Sequence, residues 1–274
     1  SYVNPFQDFK KTSTPMAGET IDLLMAQNDR ESAQILLRSD EDFTISGVEF
    51  SSLSDGSNTI DSANIEYNFV DYHNMRNSSG QNASTAIRWG EGGYPDRLSS
   101  DPTRTVTAGN TQSIWITVYA PAGTVPGIYT GAAAVKTDKG DFSVTVTAEV
   151  VDAEIPSASE SVFELSYWQN ISGTWNWSGI DPDMYILSGL FPEIKAAGKW
   201  SQPWWDYVES AADAMEEARV NVLHVQPLEL LMDGGTTVTG YGTEDVEYHF
   251  DWSKFDEYIE YFMDRGFIKK LELY

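Results

Sequence analysis

Short apolar runs that alternate with polar residues dominate positions 21–151 of the chain. The runs Ser113–Tyr119 and Phe142–Val150 alternate with period two, which predicts half-buried β-strands. Between them, Pro126–Gly131 opens another strand, and Thr137–Asp141 supplies a polar turn that contains glycine. Three further runs have the same character: Ile35–Arg38, Gly47–Phe50 and Ile65–Val70. Six or more short strands at this spacing predict an antiparallel β-sandwich.

Two stretches of the N-terminal half lack this pattern. Residues 71–101 are polar, rich in Asn, Ser and Gly, and without sustained periodicity, so they predict a long loop. The Pro- and Ser-containing stretch Asp152–Ser159 ends the strand pattern and is typical of a link between domains. We therefore predict a β-sandwich accessory domain over residues 1–155 and a second domain over residues 156–274.

The second region changes from strand periodicity to helical periodicity. Three strands are predicted at Val162–Trp168, Asn221–Gln226 and Lys270–Tyr274, and two helices at Trp204–Arg219 and Ser253–Arg265. Strand, helix, strand, helix, strand is the beginning of a parallel β/α array. The sequence thus predicts the first part of a (β/α)8 TIM-type barrel, truncated after about its third strand, since three strands cannot close a barrel of eight.

Both predicted helices carry an apolar stripe and a candidate cap. Ser201 is the expected N-terminal cap of the first helix, and Ser253 with Asp256 forms a capping-box pattern at the second. The predicted core stripe of the first helix is Trp204, Val208, Ala211, Met215 and Ala218.

Composition narrows the possible partners. A formal net charge of −25, from 42 acidic and 17 basic residues, repels nucleic acid phosphates and anionic lipid headgroups. No nucleic acid partner is expected, and no apolar run approaches the length of about 20 residues that spans a bilayer. Nine Trp and fourteen Tyr are a large aromatic content, and stacking on the flat faces of sugars is one use for it.

The residues that several kinds of chemistry require are absent from the sequence. The chain has no Cys, which excludes disulfides, thiolate zinc sites and cysteine nucleophiles. We find no His-x-x-x-His pattern, calcium loop, Gly-rich phosphate loop or nucleophile elbow, so no metal and no cofactor are predicted. An acidic, Cys-free, aromatic-rich chain favours a secreted or cell-envelope bacterial protein, although no signal peptide precedes Ser1 in this chain.

Five segments, in this order, carry a resemblance to a known family. They are Ala26–Gln34, Pro126–Gly131, Tyr167–Asn170, Phe250–Tyr258 and Asp264–Lys269. The chain resembles glycoside hydrolase family 123 and its uncharacterised relatives over most of its length. The resemblance implies a β-sandwich followed by a (β/α) barrel, and a carbohydrate partner that contains an N-acetylhexosamine.

The same resemblance implies a reaction. Enzymes of that family are retaining β-N-acetylgalactosaminidases in which the substrate's own 2-acetamido oxygen is the nucleophile. An adjacent Asp-Glu pair orients the acetamido group and protonates the leaving oxygen. We expect that pair beyond Tyr274, because Glu41-Asp42 lies in the sandwich and Glu244-Asp245 in a loop before a helix. The catalytic residues of this chain are therefore unknown, and the fragment by itself is expected to be inactive.

Substrate-binding candidates are the residues that end each barrel strand, where active sites of such barrels form, and two tryptophans in the following loop. They are Trp168, Gln169, Asn170, Trp175, Trp177, His224, Gln226 and Tyr274. Each also has a structural explanation, since strand-end aromatics cap a barrel and a lone His is often structural. A non-catalytic glycan-binding or cell-surface module on the same scaffold is the alternative function.

Overall fold

A computed structural model describes residues 2–3, 9–15, 18, 20–75, 92–167, 192–242 and 244–273. The chain divides into two compact units, residues 1–155 and residues 156–274. The described strands of the first unit are β1 (Tyr2–Val3), β2 (Thr20–Gln27), β3 (Asp29–Arg38), β4 (Phe43–Phe50), β5 (Leu53–Ser54), β6 (Thr59–Ile60), β7 (Ile65–Met75), β8 (Gly92–Ser99), β9 (Arg104–Val106), β10 (Thr111–Ala120), β11 (Gly127–Thr137) and β12 (Phe142–Glu154).

Two sheets form the first unit. One has the order β1-β3-β10-β7-β8, and the other has β2-β12-β11-β4-β9, with β5 and β6 attached to β11. Pairing is antiparallel except between β2 and β12, which run parallel. Apolar side chains from both sheets share one buried core, which includes Ile21, Ile45, Phe69, Ile114, Ile116, Val135 and Val146. The first unit is the β-sandwich that the period-two pattern predicts.

The motif Pro126–Gly131 is explained by close approach between strands. A Cβ on Gly131 would lie 2.6 Å from Leu53 Cδ2 and 2.8 Å from the backbone oxygen of Ser52. Only glycine allows β11 to pass this close to the segment that carries β5. The motif therefore serves the packing of the sandwich.

The predicted long loop over residues 71–101 is wrong for its described ends. β7 continues to Met75, and β8 pairs with it antiparallel, with His73 opposite Tyr94. Pro95 lies inside β8, which is tolerated because β8 is the edge of its sheet. Residues 76–91 lie outside the described part of the chain.

The second unit contains parallel strands and helices. Its described elements are β13 (Ser166–Tyr167), α1 (Pro192–Ala197), α2 (Gln202–Glu217), β14 (Val222–Val225), α3 (Pro227–Gly234), β15 (Thr237–Thr239), β16 (Glu247–His249), α4 (Ser253–Asp264) and β17 (Lys270–Leu273). The strands β13, β14 and β17 form one parallel sheet in chain order. This agrees with the predicted strand order, and the closure of a (β/α)8 barrel stays a prediction.

Helices cover one face of this sheet with large aromatic side chains. Trp204, Tyr258, Phe262 and Phe267 are at most 2 % exposed and share a core with Leu223 and Val225 of β14. Ala212 replaces the predicted Ala211 as the fully buried alanine of α2, and Ala218 is exposed after the helix ends. The predicted burial of Trp204, Val208 and Met215 is confirmed.

Three local predictions for this unit need correction. The first strand is short, because Val162 and Phe163 are exposed and only Ser166–Tyr167 pair within the described residues. Ser201 occupies the N-cap position, but its hydroxyl donates to the backbone oxygen of Gly198 instead of capping the helix. At α4 the capping acceptor is Asp251, whose Oδ1 receives the backbone N–H of Ser253 at 2.9 Å, and not Ser253.

Candidate functional site

The face of the parallel sheet opposite the helices carries polar side chains. Leu223 and Val225 pack in the helix-side core, so the period of two along β14 places His224 on the other face. Glu272 of β17 is the register partner of His224 and shares that face. Ser166 Oγ of β13 donates a hydrogen bond to Glu272 Oε2 at 2.8 Å. Three neighbouring strands thus contribute a hydroxyl, an imidazole and a carboxylate to one surface.

His224 faces away from the helices, and its role as a ligand stays a prediction. The side chain is buried, with 8 % exposure. Gln226 follows the last residue of β14, is half-buried, and is the N-cap residue before α3. Sequence reasoning missed Ser166 and Glu272, because only the pairing of strands far apart in sequence brings them to His224.

Six of the eight predicted substrate-binding residues lie outside the described part of the chain. They are Trp168, Gln169, Asn170, Trp175, Trp177 and Tyr274. Their roles stay predictions. Within the described residues, no group of three or more His, Asp or Glu side chains is arranged to hold a metal ion.

A row of exposed aromatic rings lies in the connection between β14 and α4. Tyr248, Phe250 and Trp252 occupy alternate positions and are 57 %, 55 % and 49 % exposed. The rings of Tyr248 and Phe250 are stacked, with centroids 5.9 Å apart and planes 9° from parallel. Trp252 continues the row at 6.2 Å from Phe250. We call these three residues the aromatic ladder; they were not among the predicted site residues.

Hydrogen bonds and close packing hold the base of this connection. The backbone N–H of Asp251 donates to Thr236 Oγ1 at 3.0 Å. A Cβ on Gly234 would lie 2.7 Å from the backbone oxygen of Asp251, so glycine is needed where the end of α3 meets this segment. The hydrogen bonds from Ser253 lower the pKa of Asp251, which keeps its carboxylate ionised as an acceptor. The aromatic ladder is therefore attached to an ordered turn.

A half-buried lysine, Lys199, holds α3, the helix at the start of this connection. Lys199 Nζ lies 3.6 Å from Glu229 Oε1 and also contacts Asp233, both on α3. Trp200 Nε1 donates to Asp233 Oδ2 at 3.1 Å, and the Lys254 ammonium lies 4.4 Å from the Trp200 ring centroid. Lys199 and Glu229 are each 13 % exposed, so this ion pair is screened little by water. Trp200 accordingly has a structural role.

Chemically, the arrangement suits a polar ligand with flat apolar faces. Exposed rings, of which Tyr248 and Phe250 are nearly parallel and Trp252 is tilted by 46° from Phe250, can pack against the C–H faces of a sugar. A carboxylate and an imidazole can hydrogen-bond to its hydroxyl groups. No described helix is long and apolar enough to cross a membrane.

Comparisons with known proteins bear on this site. Residues 7–137 match the family model described as the glycoside hydrolase 123 N-terminal domain. A structure of a family 123 glycoside hydrolase from Clostridium perfringens, described in terms of glycolipid glycan hydrolysis, matches with a TM-score of 0.69 and 16% sequence identity. The match covers 93% of this chain and 44% of that protein, so the chain spans less than half of its length. At this identity the likeness shows the fold.

Two further structural matches each cover about half of the chain. A PapD-like domain of human CEP192 matches with a TM-score of 0.28 and 12% identity, over 56% of this chain and 94% of that domain. The CooA pilin subunit of Escherichia coli matches at 0.27 and 15%, over 49% and 92%. These scores are too low to support an argument about function. The search of curated proteins gave no match.

Proposed function

Because residues 7–137 match the model of the glycoside hydrolase 123 N-terminal domain, we propose that this chain is part of a family 123 glycosidase. The whole protein is a retaining β-N-acetylgalactosaminidase that uses the 2-acetamido group of its substrate as the nucleophile. Residues 1–155 are its accessory sandwich, and residues 156–274 form the first part of its catalytic (β/α)8 barrel. The protein is secreted or held at a bacterial cell envelope.

The single observation that carries this proposal is the agreement of a family match with a fold match. The family model covers the sandwich, whereas the Clostridium perfringens structure matches across 93% of the chain, including the β/α unit. That enzyme is described as hydrolysing glycolipid glycans, which supports a glycan as the substrate class here.

The polar sheet face and the aromatic ladder are assigned to substrate binding. In (β/α) barrels the loops that follow the carboxyl ends of the strands surround the substrate, and the aromatic ladder lies in such a loop, between β14 and α4. His224 and Glu272 lie toward the ends of their strands and would hydrogen-bond to sugar hydroxyls.

Catalysis is assigned to residues outside the chain. Substrate assistance needs one carboxylate to orient the acetamido group and another group to protonate the leaving oxygen. Glu244 and Asp245 are adjacent but exposed, in a loop before α4, which does not suit a general acid with a raised pKa. We place the catalytic Asp-Glu pair after Tyr274, so the 274 residues alone do not turn over substrate.

The test is hydrolysis by the full-length protein of two aryl glycosides that differ only at C2. We expect turnover of the aryl β-N-acetylgalactosaminide with retention at the anomeric carbon, and none of the aryl β-galactoside, which lacks the acetamido nucleophile. Failure of the folded full-length protein to hydrolyse any N-acetylhexosaminide would overturn the proposal. Binding without turnover would instead support a non-catalytic glycan-binding module.

A variant of the aromatic ladder tests its role in the same assay. Tyr248→Ala is expected to raise KM about two- to tenfold with little change in kcat, since a stacking contact contributes about 0.5–1.5 kcal/mol. Phe142→Ala is the matched control, because Phe142 is an equally exposed ring, at 53 %, in the sandwich. Equal effects of the two substitutions on KM would show that the aromatic ladder does not bind the substrate.

A further inference from the structure

The sandwich contains a cavity that the proposed reaction does not use. Its volume is about 450 Å³, and all of its lining residues belong to the first unit. β7, β8, β9 and the start of β10 form its walls, and Lys11 lies at its side. We call it the sandwich cavity.

Cationic side chains are concentrated in the sandwich cavity. Lys11, Arg97 and Arg104 line it, whereas Asp71 is the one lining residue with a carboxylate among those described. Near neutral pH these four groups sum to a charge of about +2, and Asp101, which contacts Arg104, lowers the local sum to about +1. Three of the chain's 17 Lys and Arg residues therefore meet in a protein whose net charge is −25. The sandwich cavity is a local exception to an electrostatic field that repels anions.

Asp71 holds the two guanidinium groups in fixed positions. Arg97 Nε donates to Asp71 Oδ2 at 2.8 Å, and Arg104 Nη1 lies 2.9 Å from Asp71 Oδ1. Burial by itself would raise the pKa of Asp71, but the hydrogen bond from Arg97 and the charges of both arginines outweigh it and lower that pKa. Arg104 also contacts Asp101 at 3.3 Å. The carboxylate of Asp71 thus forms ion pairs with two arginines.

Donors remain for a ligand after these contacts are counted. Arg97 uses its Nε on Asp71, its side chain is 71% exposed, and its two terminal nitrogens have no carboxylate partner among the described residues. Lys11 Nζ lies 5.4 Å from the Tyr72 ring centroid and likewise has no carboxylate partner in that part of the chain. The backbone oxygen of Lys11 accepts from Thr111 N at 2.8 Å, which holds this segment against β10.

The remaining walls suit a sugar better than a bare ion. Neutral hydroxyl and amide groups of Thr105, Thr107 and Asn110 line the cavity beside the Tyr72 ring. Such groups bind hydroxyls, and a volume of about 450 Å³ holds a monosaccharide or disaccharide, far more than an inorganic anion requires.

We propose that the sandwich cavity binds an acidic sugar, with the terminal nitrogens of Arg97 and the ammonium of Lys11 holding its carboxylate or sulfate. A guanidinium fork matches the geometry of either oxyanion. This site is separate from the proposed glycosidase reaction, which acts on a neutral N-acetylgalactosaminide, so either proposal can fail without the other.

Calorimetric titration of the 274-residue chain tests the proposal with matched sugars. The probes are glucuronic acid and N-acetylneuraminic acid for carboxylate, N-acetylgalactosamine 6-sulfate for sulfate, and glucose and N-acetylgalactosamine as neutral counterparts. Inorganic sulfate completes the set. At least one acidic sugar is expected to bind at least about tenfold more tightly than its neutral counterpart, because hydrogen bonds to a charged group are stronger than those to a neutral one. Which one binds identifies the oxyanion.

Two variants and one control locate the binding. Arg97→Gln and Lys11→Gln are each expected to weaken binding at least about tenfold. In Arg97→Gln the carboxylate of Asp71 is still paired with Arg104, so the substitution does not leave it without a cation. Thr111, which lines the cavity, is paired with Arg38 at one end of β3. Arg30 lies near the other end of β3, about 27 Å away along the strand. Arg30→Gln removes the same charge there and is expected to leave the affinity unchanged. Thermal melting of each variant checks that the sandwich remains folded.

Four results would overturn the proposal. They are no binding of any acidic sugar, equal binding of neutral and acidic sugars, inorganic sulfate binding as tightly as the sugars, and affinities unaffected by Arg97→Gln and Lys11→Gln.

Discussion

The two units bury their apolar surface in different ways. The sandwich core is built mainly from aliphatic side chains such as Ile21, Ile114 and Ile116, distributed over two sheets. The core of the β/α unit is concentrated in Trp204, which touches Trp200, Trp205 and Tyr258 at centroid distances of 4.8 to 6.3 Å. The sandwich therefore depends on many equivalent contacts, whereas the β/α unit depends on a few large ones.

The largest effect is expected from the centre of the aromatic core. Trp204→Ala should lower the free energy of unfolding of the β/α unit by about 3–5 kcal/mol, because it leaves a large cavity at a fully buried position. Hydrogen exchange resolved by peptide measures the two units separately. Exchange in residues 192–273 should accelerate, while the sandwich strands keep their protection.

Tyr241→Ala is the control for that variant, since Tyr241 is 89 % exposed and belongs to the same unit. We expect a change below about 0.5 kcal/mol. If the two substitutions have equal effects, the β/α unit is not organised around Trp204.

A smaller effect is expected at Asp71, whose carboxylate pairs with two arginines of the sandwich. Asp71→Asn should destabilise the sandwich by about 1–3 kcal/mol, because Arg104, at 22% exposure, loses the closer of its two carboxylate partners and keeps only Asp101 at 3.3 Å. The pKa of Asp71 is lowered in the folded state, so its contribution is present above the unfolded value of about 3.9 and is lost as pH falls through the folded value.

Denaturant unfolding at pH 7 and at a pH below the folded pKa of Asp71 measures this difference. The gap between wild type and Asp71→Asn should be present at pH 7 and close in acid. A gap that is the same at both values would mean that the negative charge of Asp71 is not its origin.

The smallest effect is expected from a single methylene in the sandwich core. Ile116→Val should lower the free energy of unfolding by about 0.5–1.5 kcal/mol, although Ile116 is only 1 % exposed. Denaturant unfolding followed at the sandwich measures it. A loss comparable to that of Trp204→Ala would show that the sandwich also depends on individual large contacts.

Strand periodicity predicted most of the sandwich because its central strands bury one face and expose the other. β10 and β12 contain the predicted runs and extend them by a few residues. The same reasoning missed β8, since Gly92, Gly93 and Pro95 are unusual in strands. An edge strand also buries few side chains, so its sequence shows little alternation of apolar and polar residues. α3 and the hairpin of β15 and β16 were missed as well, because short elements give weak periodic signals.

The sequence predicted only those residues of the candidate site that a pattern within a single strand reveals. His224 follows from alternation within β14, whereas Glu272 joins it through strand pairing that no local pattern encodes. The aromatic ladder has a local signal, alternate aromatics at Tyr248, Phe250 and Trp252, but their exposure depends on how the connection folds. The three cations of the sandwich cavity, Lys11, Arg97 and Arg104, come from three separate segments, so only the fold brings them together.

The parallel pairing of β2 with β12 has a consequence for synthesis on the ribosome. Leu23 lies opposite Ala148, and β12 is the only neighbour of β2 in its sheet among the described strands. During synthesis, the backbone N–H and C=O groups of β2 stay without their native partners until β12 has left the exit tunnel. Until then its alternate residues Ile21, Leu23 and Met25 are available to chaperones.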